Sequence, residues 1–505
     1  MFRSARSAHV VIRLVILLAM TCGFACSAGR MTPVADAAPH SAAGVLDPEH
    51  WRRQALRDLI PYWEKHAIDA ESGAFHMNLS RDGKPLPPWD LLPALISRQV
   101  FGFSAAYMLS GEGRYLGIAR DGVQYLFGHA WDEEYGGWYD RLTREGKPSA
   151  DTKSVALRLY TDVGLTEYFL ATGDRNVLRR VRESIAIQKR RASDSRKGGY
   201  AQTLARDLSI LDYGKNKHAH YGYVGSLLLN LHLAVRDPEI LAWERELMDL
   251  SASRQVDEEG WWHGFRNKLD RDWRMTPTLL EGKEVVSVGA ELTAALALLR
   301  LYHQSGERKY LELGRGLAER LNRFAFDPAT GAWREFLERK APYRPVGEPA
   351  TWWWIQIYGS FLQLQMYRVT GEPEYLETFK KSEEFFEAGF RDREMGGIYG
   401  HVGLDGAVLN EGRKASSGEW HTSYHEMEHA LLNYLYLNLY VHRRPAVLHF
   451  RLGGPGRHYV SLVDDPAVTI ASVRIGGKPW KGFDARDRSI RLPAGKDLDV
   501  EVTLH

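Results

Sequence analysis

The sequence predicts an all-α fold, an (α/α)6 barrel of twelve helices in two rings, with a small β domain at its C-terminal end. A glycine-containing turn motif recurs six times, and amphipathic helical segments alternate with almost uniformly apolar ones between its copies. These two observations predict the barrel, because a repeated helical pair buries its apolar face against its neighbours. A third observation, a change to short alternating segments near the C-terminus, predicts the β domain.

The turn motif consists of an acidic or polar stretch, one or two glycines, and an aromatic or apolar pair, as in DEEYGGWY and DREMGGIY. Successive motif glycines are 64, 62, 61, 71 and 66 residues apart. An open solenoid is the alternative, but solenoid repeats such as TPR have shorter periods, and six helical pairs fit ring closure. The motif glycines are Gly73, Gly137, Gly199, Gly260, Gly331 and Gly397.

The helical segments between the motifs are of two kinds. RYLGIARDGVQYLFGHAW and KYLELGRGLAERLNRFAF have an apolar and a charged face, which is typical of helices that pack on a surface. VGAELTAALALLRLY and WIQIYGSFLQLQMY are apolar nearly all round, which is typical of helices buried on every side. We therefore expect the apolar helices to form an inner ring and the amphipathic helices an outer ring.

The character of the sequence changes after Pro445. Short, β-branched, alternating segments such as VLHFRL, HYVSLV and VTIASVRIGG follow, separated by Gly, Pro and Asp turns. We expect this β domain to cover one side of the barrel; a separate carbohydrate-binding module is the alternative, but it would have few aromatics besides Trp480. The predicted organisation is a signal peptide over 1–37, a linker over 38–47, the barrel over 48–445 and the β domain over 446–505.

The N-terminus predicts export to the periplasm or the medium. Three arginines lead into the apolar LVILLAM, and Ala35-Asp36-Ala37 has the small-x-small form of a signal-peptidase site. The apolar run is too short to cross a membrane as a stable helix. The alternative is a lipoprotein on a bacterial membrane, with Cys26 acylated as a lipid anchor.

Charge and cysteine content exclude several classes of partner. Cleavage after Ala37 removes four arginines and one aspartate, so the formal charge of +2 becomes −1 and gives no reason to expect nucleic acid. Cys22 and Cys26 both lie in the leader, so the mature chain has no disulfide, thiol nucleophile or cysteine metal site. Phosphate-loop and dinucleotide glycine patterns are absent where a strand-to-helix turn would need them.

Histidine pairs raise the question of a metal. His218-x-His220 could ligate one, and His421 and His425 share a helix face because they are four residues apart. The zinc-protease motif has a glutamate after its first histidine, and Thr422 stands there instead. We therefore expect neither a metal nor another cofactor.

The first turns of the apolar helices are unusually polar. In a closed helical barrel the inner helices begin beside a central cavity, so these residues are expected to point at a pocket. Each alone could cap its helix, but polar residues at all six equivalent starts indicate a lined cavity. Tryptophans stack on sugar rings, and carboxylates, histidines and arginine bind hydroxyls, which indicates a mono- or oligosaccharide ligand. The candidates are Arg98, Lys153, His218, His220, Glu291, Trp352, Trp353, Trp354, Gln356, His421, His425 and Glu428.

At these positions the chain resembles the superfamily of N-acylglucosamine 2-epimerases and cellobiose 2-epimerases, which are (α/α)6 barrels, over residues 48–445. Arg98 in SRQVFGFSAAY matches the arginine of the family's first inner helix, and His220 in NKHAHYGY matches the histidine of its Asn-x-x-Met-His stretch. Trp353-Trp354-Ile355-Gln356 matches the family's Trp-Trp-x-Gln, and Tyr424-His425 matches its late Tyr-His. No family motif covers the β domain.

The resemblance implies proton abstraction at C2 of an opened sugar, an enediolate intermediate, and return of a proton to C2 or C1 without a cofactor. Imidazole suits this reaction because its unperturbed pKa lies near neutral pH. The catalytic candidates are His425, His220 and His421. The substrate-binding candidates are Arg98, Lys153, Glu291, Trp353, Gln356, Tyr424 and Glu428.

The departures from the family pattern lie in the same region. Val288 stands where the family has a second catalytic histidine. Tyr223 and Tyr358 replace two family glutamates, and His421 and Glu428 stand at a family lysine and arginine. The resemblance therefore implies a shared scaffold with a different substrate shell.

Three functions stay open at this point. The first, which we favour, is a sugar 2-epimerase or aldose–ketose isomerase in which His425 is one acid/base and His220 or His421 takes the role of the missing partner. The second is a glycoside hydrolase with a carboxylate pair drawn from Glu291, Glu419 and Glu428. The third is a sugar-binding barrel without turnover.

Overall fold

The computed structural model of the chain describes residues 44–263 and 268–505. The predicted signal peptide, both cysteines and the linker up to residue 43 lie outside the described residues. Within them the α-helices are, in chain order, α1 (Pro48–Gln54), α2 (Ile60–His66), α3 (Pro93–Ser110), α4 (Gly113–Tyr125), α5 (Val155–Thr172), α6 (Arg175–Arg191), α7 (Tyr221–Tyr223), α8 (Leu229–Val235), α9 (Pro238–Arg254), α10 (Val288–Ser305), α11 (Arg308–Phe324), α12 (Trp353–Thr370), α13 (Pro373–Phe385) and α14 (Ser423–Tyr436). Short π-helical turns join or extend them at Ala55–Leu59, Leu126–Ala130, Val224–Leu228, Phe386–Phe390 and Leu437–Val441, and 3₁₀ turns occur at Lys217–Ala219 and Asn410–Gly412.

The helices form two rings. The inner ring consists of α3, α5, α7 with α8, α10, α12 and α14, which contact one another in chain order. The ring closes because α14 also contacts α3. The outer helices are α1 with α2, α4, α6, α9, α11 and α13. This arrangement confirms the predicted (α/α)6 barrel.

Burial follows the predicted difference between the rings. In α3 every residue from Pro93 to Leu109 is buried, so this inner helix has no solvent face. In the outer helix α11 burial is confined to one stripe at three- and four-residue spacing, which packs on the inner ring. The buried residues of this stripe are Tyr310, Gly314, Leu317, Ala318 and Leu321.

Each outer helix is followed by one of the glycine turns, and a long loop then leads to the next inner helix. In the second turn the Gly136 N–H donates to Asp132 O at 2.7 Å, and the Asp132 N–H donates to Gly137 O at 3.0 Å. Gly331 of the fifth turn has a φ of +86°, and a Cβ there would lie 2.3 Å from Lys381 O, so only glycine fits. Because every turn precedes an inner helix, the turns lie at the barrel end where the inner helices begin.

Short antiparallel strands flank the first glycine turn and occur in the loops after the others. They pair as β1 with β2, β6 with β7 and β12 with β13, and in the orders β3-β4-β5 and β8-β9-β10-β11. These strands are β1 (Ile68–Asp69), β2 (Ala74–Phe75), β3 (Thr152–Ser154), β4 (Thr203–Ala205), β5 (Ile210–Asp212), β6 (Lys268–Leu269), β7 (Met275–Thr276), β8 (Leu279–Leu280), β9 (Lys283–Ser287), β10 (Phe336–Glu338), β11 (Pro345–Val346), β12 (Ala350–Trp352) and β13 (His401–Gly403).

The C-terminal region forms one antiparallel sheet in the order β14-β18-β15-β16, with β17 paired to β18. The predicted strand VLHFRL and the first two residues of HYVSLV belong to one long strand, because the pairing of β14 with β18 continues across irregularities at Gly454 and Gly456 and ends at Tyr459. The rest of the predicted strand HYVSLV, residues 460–463, is not in a strand, which corrects that prediction. The strands are β14 (Ala446–Tyr459), β15 (Ile470–Ile475), β16 (Lys478–Trp480), β17 (Phe483–Asp484) and β18 (Ser489–Leu504).

This sheet lies at the opposite end of the barrel from the glycine turns. Its strand β14 contacts α3, α5 and α8. In the loop between β14 and β15, Asp464 pairs with Arg300 near the end of α10, and Asp465 pairs with Arg368 near the end of α12. The C-terminal region therefore covers the end of the inner ring. Among the described residues, no helix has both the length and the apolar character that a membrane span requires.

Candidate active site

The main cavity of the barrel lies where the inner helices begin, and its volume is about 410 Å³. One part of its lining is aromatic, formed by Tyr160, Trp352, Trp353, Trp354, Tyr358 and Trp420. The other part carries ionisable groups, formed by Arg98, Lys217, His218, Glu335, Glu419 and His425. A cavity of this size with aromatic walls and a few convergent charges has the features of a small-molecule site.

His425 lies in the first turn of α14 because Thr422 caps this helix, its hydroxyl accepting the Tyr424 N–H at 3.4 Å. The His425 Nε2 lies 2.6 Å from Arg98 Nη2. Its Nδ1 lies 3.2 Å from Glu428 Oε2. A guanidinium can only donate hydrogen bonds, so Nε2 holds the lone pair and Nδ1 carries the hydrogen donated to Glu428. The two neighbours thus fix both the tautomer and the orientation of the imidazole.

Arg98 is held by aromatic rings and one carbonyl. Its guanidinium lies 4.9 Å from the ring centres of both Tyr160 and Tyr424. Its Nη1 donates to Trp420 O at 2.6 Å. Burial lowers the pKa of Arg98 from its ordinary value, but an arginine stays charged at neutral pH. A fixed positive charge therefore faces the cavity beside His425.

Burial shifts the proton affinities of the groups around His425. It lowers the pKa of His425 well below its usual range, and the charge of Arg98 adds to this effect. Burial also raises the pKa of Glu428 to about 7 and lowers the pKa of Lys217 to about 8. His425 is therefore neutral near neutral pH, as a general base must be, and its neighbours can exchange protons in that range.

His218 lies in the same cavity, in the 3₁₀ turn before α7. Its Nδ1 lies 3.0 Å from Asn216 Oδ1, which also accepts the backbone N–H of His218 at 2.9 Å. The Asn216 oxygen acts as acceptor, so Nδ1 donates and Nε2 is the basic nitrogen of this ring. The sequence motif pointed to His220 instead, and the structure places its neighbour His218 at the cavity.

Three of the predicted site residues do not line the main cavity and share a different role, which corrects the prediction. Each accepts the backbone N–H of the aromatic residue in a glycine turn, a donor that would otherwise be buried without a partner. They hold the turns against the starts of the inner helices. The pairs are Tyr200 N with His220 Nε2, Trp262 N with Glu291 Oε2, and Trp333 N with Gln356 Oε1, each 3.1 Å apart.

His220 has no nitrogen left for proton transfer. Its Nδ1 lies 2.8 Å from Asn216 O and donates to it, while Nε2 accepts from Tyr200. Burial lowers its pKa to about 4, so the ring is neutral at neutral pH. The Gln356 amide is equally occupied, because its Nε2 donates to Gly331 O at 3.0 Å and to Ser382 O at 2.9 Å.

Lys153 and His421 also lie away from the main cavity. The Lys153 ammonium donates to Asp132 Oδ2 at 3.0 Å, Gly136 O at 2.6 Å and Arg206 O at 2.8 Å, which uses all three hydrogens. His421 is buried with its ring centre 4.4 Å from that of Trp353. Lys153 therefore ties down a turn, which corrects its predicted substrate role. His421 packs against Trp353 outside the cavity lining, and its acid/base role stays a prediction.

The structure does bring together five of the predicted residues. Arg98, Trp353 and His425 line the main cavity. Tyr424 and Glu428 lie directly behind them, and the Tyr424 hydroxyl donates to Glu428 Oε1 at 3.2 Å. These five residues form one contiguous cluster around the His425 imidazole.

Several residues that line the cavity were not predicted from the sequence. Tyr160 lies in the second turn of α5 and Glu335 in a loop before β10, so neither is among the polar residues of a helix start. Lys217 precedes His218 in NKHAHYGY, where only the histidines were chosen as candidates. Val288, which replaces the family histidine, is buried without lining the cavity, while Ser287 beside it does line it.

Comparison with known proteins supports the resemblance. The family model for N-acylglucosamine 2-epimerase (GlcNAc 2-epimerase) matches residues 73–281. The cellobiose 2-epimerase of Bacteroides fragilis is 23% identical over 389 residues, which span 75% of this chain and 96% of that protein. The solved structure of cellobiose 2-epimerase from Spirochaeta thermophila has a TM-score of 0.69 at 19% identity and covers 78% of this chain and 97% of its own.

A D-mannose isomerase structure is similar to the same extent, with a TM-score of 0.67 at 19% identity over 79% of this chain and 99% of its own. At such identities the solved structures establish the fold alone. The chain is thus similar in sequence and in fold, at low identity, to the superfamily of sugar 2-epimerases and isomerases that includes the N-acylglucosamine 2-epimerases and cellobiose 2-epimerases.

Proposed function

We propose that the protein is a sugar 2-epimerase or aldose–ketose isomerase that removes the C2 proton of a reducing sugar bound in the main cavity. One observation carries this proposal: His425 presents a cavity-lining imidazole whose basic nitrogen is Nε2 and whose Nδ1–H is held by a carboxylate. Similarity to the superfamily supports the reaction class. The aromatic walls support a sugar ligand, because indoles stack on the apolar faces of pyranose rings.

The base has to exchange one partner during the reaction. Arg98 Nη2 donates to His425 Nε2, so this nitrogen can accept a substrate proton only after Arg98 turns toward the substrate. An opened sugar offers a carbonyl oxygen as the new acceptor. Arg98 then stabilises the negative charge that develops on this oxygen as the enediolate forms. The same movement frees the base and prepares the oxyanion site.

Glu428 supports the second half of the proton transfer. When Nε2 takes the proton from C2, His425 becomes an imidazolium and Glu428 accepts its Nδ1–H at 3.2 Å. An ionised Glu428 stabilises that cation, whereas a protonated one does not. The reaction therefore requires His425 neutral and Glu428 ionised at the start. The proton returns to C1 to give a ketose or to C2 to give an aldose.

Inversion at C2 needs a second acid/base on the other face of the enediolate. The family histidine for this role is replaced by Val288, which is buried away from the cavity. We propose His218 for it, since His218 lines the cavity with Nε2 as its basic nitrogen. Return of the proton by His425 alone would give isomerisation instead. His218 is therefore the residue expected to decide between the two products.

Glycoside hydrolysis is the second candidate function, and one observation favours it. Glu335 and Glu419 line the same cavity, and hydrolysis by the common routes needs two carboxyl groups. Burial raises the pKa of Glu419, as a general acid requires. Glu291 and Glu428, the other carboxylates considered from the sequence, do not line it. Hydrolysis in this cavity would therefore use Glu335 and Glu419.

Proton NMR in deuterated water distinguishes the candidates. The mature protein is incubated with mannose, glucose, an N-acylglucosamine and cellobiose in turn. Deuterium at C2 together with an epimer or ketose supports the proposal. New reducing ends without exchange at C2 would establish a hydrolase, and binding without any chemical change would establish a sugar-binding barrel.

We also propose that the protein is exported, on the strength of its arginine-led apolar leader and the Ala35-Asp36-Ala37 site. The intact mass of the protein recovered from its native cells tests this. A mass that begins at residue 38 supports cleavage after Ala37. A chain that begins with a lipidated Cys26 would establish the lipoprotein, and an unprocessed chain would contradict export.

A further inference from the structure

A second, smaller cavity of about 60 Å³ lies beneath the main cavity along the barrel axis. Ser226, Thr293 and Tyr358 line both cavities, so the two are separated by a thin layer of side chains. The inner cavity is lined on one side by Glu428, the carboxylate that holds His425. On the other side it is lined by Asp464, which belongs to the C-terminal region.

Asp464 is bound to one cation. It accepts from Arg300 Nε at 2.6 Å and from Arg300 Nη2 at 3.2 Å, and its carboxylate is 3% exposed. Arg300 Nη2 also donates to Asn230 Oδ1 at 2.7 Å, and its Nη1 donates to Gly225 O at 3.4 Å. Each nitrogen of the guanidinium has an acceptor other than Glu428. Arg300 and Glu428 both line the inner cavity.

The charge of Arg300 acts on Glu428 across the inner cavity. It is the largest influence that opposes the effect of burial on this carboxyl group. Asp464 lies on the same guanidinium and offsets part of that positive charge. The titratable groups that face the Glu428–His425 pair are Arg98 from α3, Tyr160 and Glu167 from α5, Lys217 from the turn before α7, Arg300 from α10, Tyr358 from α12, His421 from the loop before α14, Tyr424, His429 and Tyr436 from α14, and Asp464.

We propose that the C-terminal region is a working part of the active site and that Asp464 is a positioning residue, which holds Arg300 in place and offsets its charge beneath the Glu428–His425 pair. The region would then do more than cover the barrel end. The proposal rests on the proposed function for its kinetic consequence. The predicted effect on the titration of Glu428 depends only on the positions of Asp464, Arg300 and Glu428.

The substitution Asp464→Asn should lower the pKa of Glu428. It removes the charge that offsets Arg300, so the guanidinium acts more strongly on Glu428 or turns to bind it. Either event favours the ionised carboxylate and moves the titration of Glu428 to lower pH, by roughly 1 unit for a nearby opposite charge. Since the reaction requires ionised Glu428, the acid limb of the activity profile moves to lower pH by the same amount.

Asp465→Asn is the matched control. Asp465 is the next residue, it is also 3% exposed, and it also pairs with an arginine, Arg368. Asp465 accepts from the Tyr440 hydroxyl at 3.0 Å and does not line the inner cavity. Loss of this carboxylate should lower thermal stability to a similar degree and leave the titration of Glu428 unchanged.

Two readouts are taken on the full mature chain and both variants, after circular dichroism has shown that each folds. The first is the infrared band of the protonated Glu428 carboxyl group, assigned by its loss in Glu428→Gln, as a function of pH. The second is the pH profile of C2–H exchange with the sugar that the wild-type protein turns over fastest. A shift to lower pH in Asp464→Asn alone, in both readouts, is the expected result.

An unchanged Glu428 titration in Asp464→Asn, or an equal shift in Asp465→Asn, would overturn the proposal. The infrared titration requires no turnover, so it decides the inference even if no sugar reacts and the proposed function fails. If Asp464→Asn does not fold, Asp464→Glu replaces it. The longer side chain retains the charge but displaces Arg300, and an unaltered infrared titration in that variant would equally contradict a positioning role.

Discussion

The imidazole of His425 lies between a cation and a carboxylate, with Nε2 at 2.6 Å from Arg98 Nη2 and Nδ1 at 3.2 Å from Glu428 Oε2. This arrangement fixes which nitrogen is the base and which neighbour stabilises the protonated ring. It also implies that the substrate competes with His425 for the guanidinium of Arg98. The chemistry proposed for the protein depends on these two contacts.

Replacement of Glu428 by Gln should reduce kcat by about 100-fold, because the amide cannot stabilise the imidazolium with a charge. KM should change little, since Glu428 lies behind His425 and not in the main cavity. Glu419→Gln is the control, as Glu419 lines that cavity. An epimerase is expected to keep most of its kcat in this control. Loss of activity in Glu419→Gln with full activity in Glu428→Gln would indicate the hydrolase instead.

The activity of the wild-type protein should rise with pH through about 7, where Glu428 ionises. Below this range the carboxyl group is protonated and cannot stabilise the imidazolium at Nδ1. The profile of kcat/KM against pH measures the midpoint. Activity that is already maximal at pH 5 would show that ionised Glu428 is not required.

Comparison of His218→Asn with His220→Asn should distinguish a catalytic histidine from a structural histidine in the same loop. The first should abolish epimer formation and leave exchange or isomerisation by His425. The second should lower the melting temperature, because the Tyr200 N–H loses its acceptor, while product ratios of the folded protein stay unchanged. Both ratios are read from NMR spectra of the products. Epimer formation at the wild-type rate in His218→Asn would exclude His218 as the second acid/base.

Lys153→Met should destabilise the protein by about 2 kcal/mol, because Asp132, Gly136 O and Arg206 O lose a buried donor while Asp132 keeps Arg206 as its cation. The side chains of Lys153 and Asp132 are both 0% exposed. Lys197→Met is the control, since Lys197 is 51% exposed in its pair with Asp272 and should cost less than about 1 kcal/mol. Denaturant unfolding measures both. Weakened sugar binding in Lys153→Met at unchanged stability would restore the substrate role expected from the sequence.

Glu167 should make the stability of the protein depend on pH. It lines the inner cavity, and burial raises its pKa in the folded state to about 8, against about 4.3 when unfolded. Its contribution is fully present below the unfolded pKa and is lost as pH rises toward the folded value. The melting temperature of Glu167→Gln relative to that of the wild type should therefore increase as pH rises from 4.5 to 8, because only the wild type loses stability through the ionisation of Glu167. A difference independent of pH would show that Glu167 is ionised in the folded protein.

The fold was predictable because its signal is repeated. Six glycine turns, each followed by an apolar helix, constrain the ring more strongly than any single segment does. The extent of the C-terminal strands was less predictable, since Gly454 and Gly456 separate the predicted segments in sequence but interrupt the pairing of β14 with β18 only locally. Glycine in a strand marks a bulge or a break, and the sequence does not distinguish them.

The site was predictable only in part, because a helix start contains residues that point in several directions. Successive side chains on a helix are separated by about 100°, so neighbours in the first turn face either the cavity or a glycine turn. His425 faces the cavity, whereas Glu291 and Gln356 face the turns. The choice between His218 and His220 depended on a non-helical turn. Lys153 was misjudged because its partner Asp132 lies in the preceding turn, which periodicity does not place in space.

The proposed base is tested most directly by the rate of hydrogen–deuterium exchange at C2 of the sugar, measured by proton NMR for the wild-type protein and for His425→Gln in parallel. Glutamine retains polarity near Arg98 and Glu428 but cannot take up a proton near neutral pH. We expect exchange by the wild-type protein and a loss of at least about 100-fold in His425→Gln, with a cooperative unfolding transition in both. Exchange at the wild-type rate in His425→Gln would show that His425 does not remove the C2 proton.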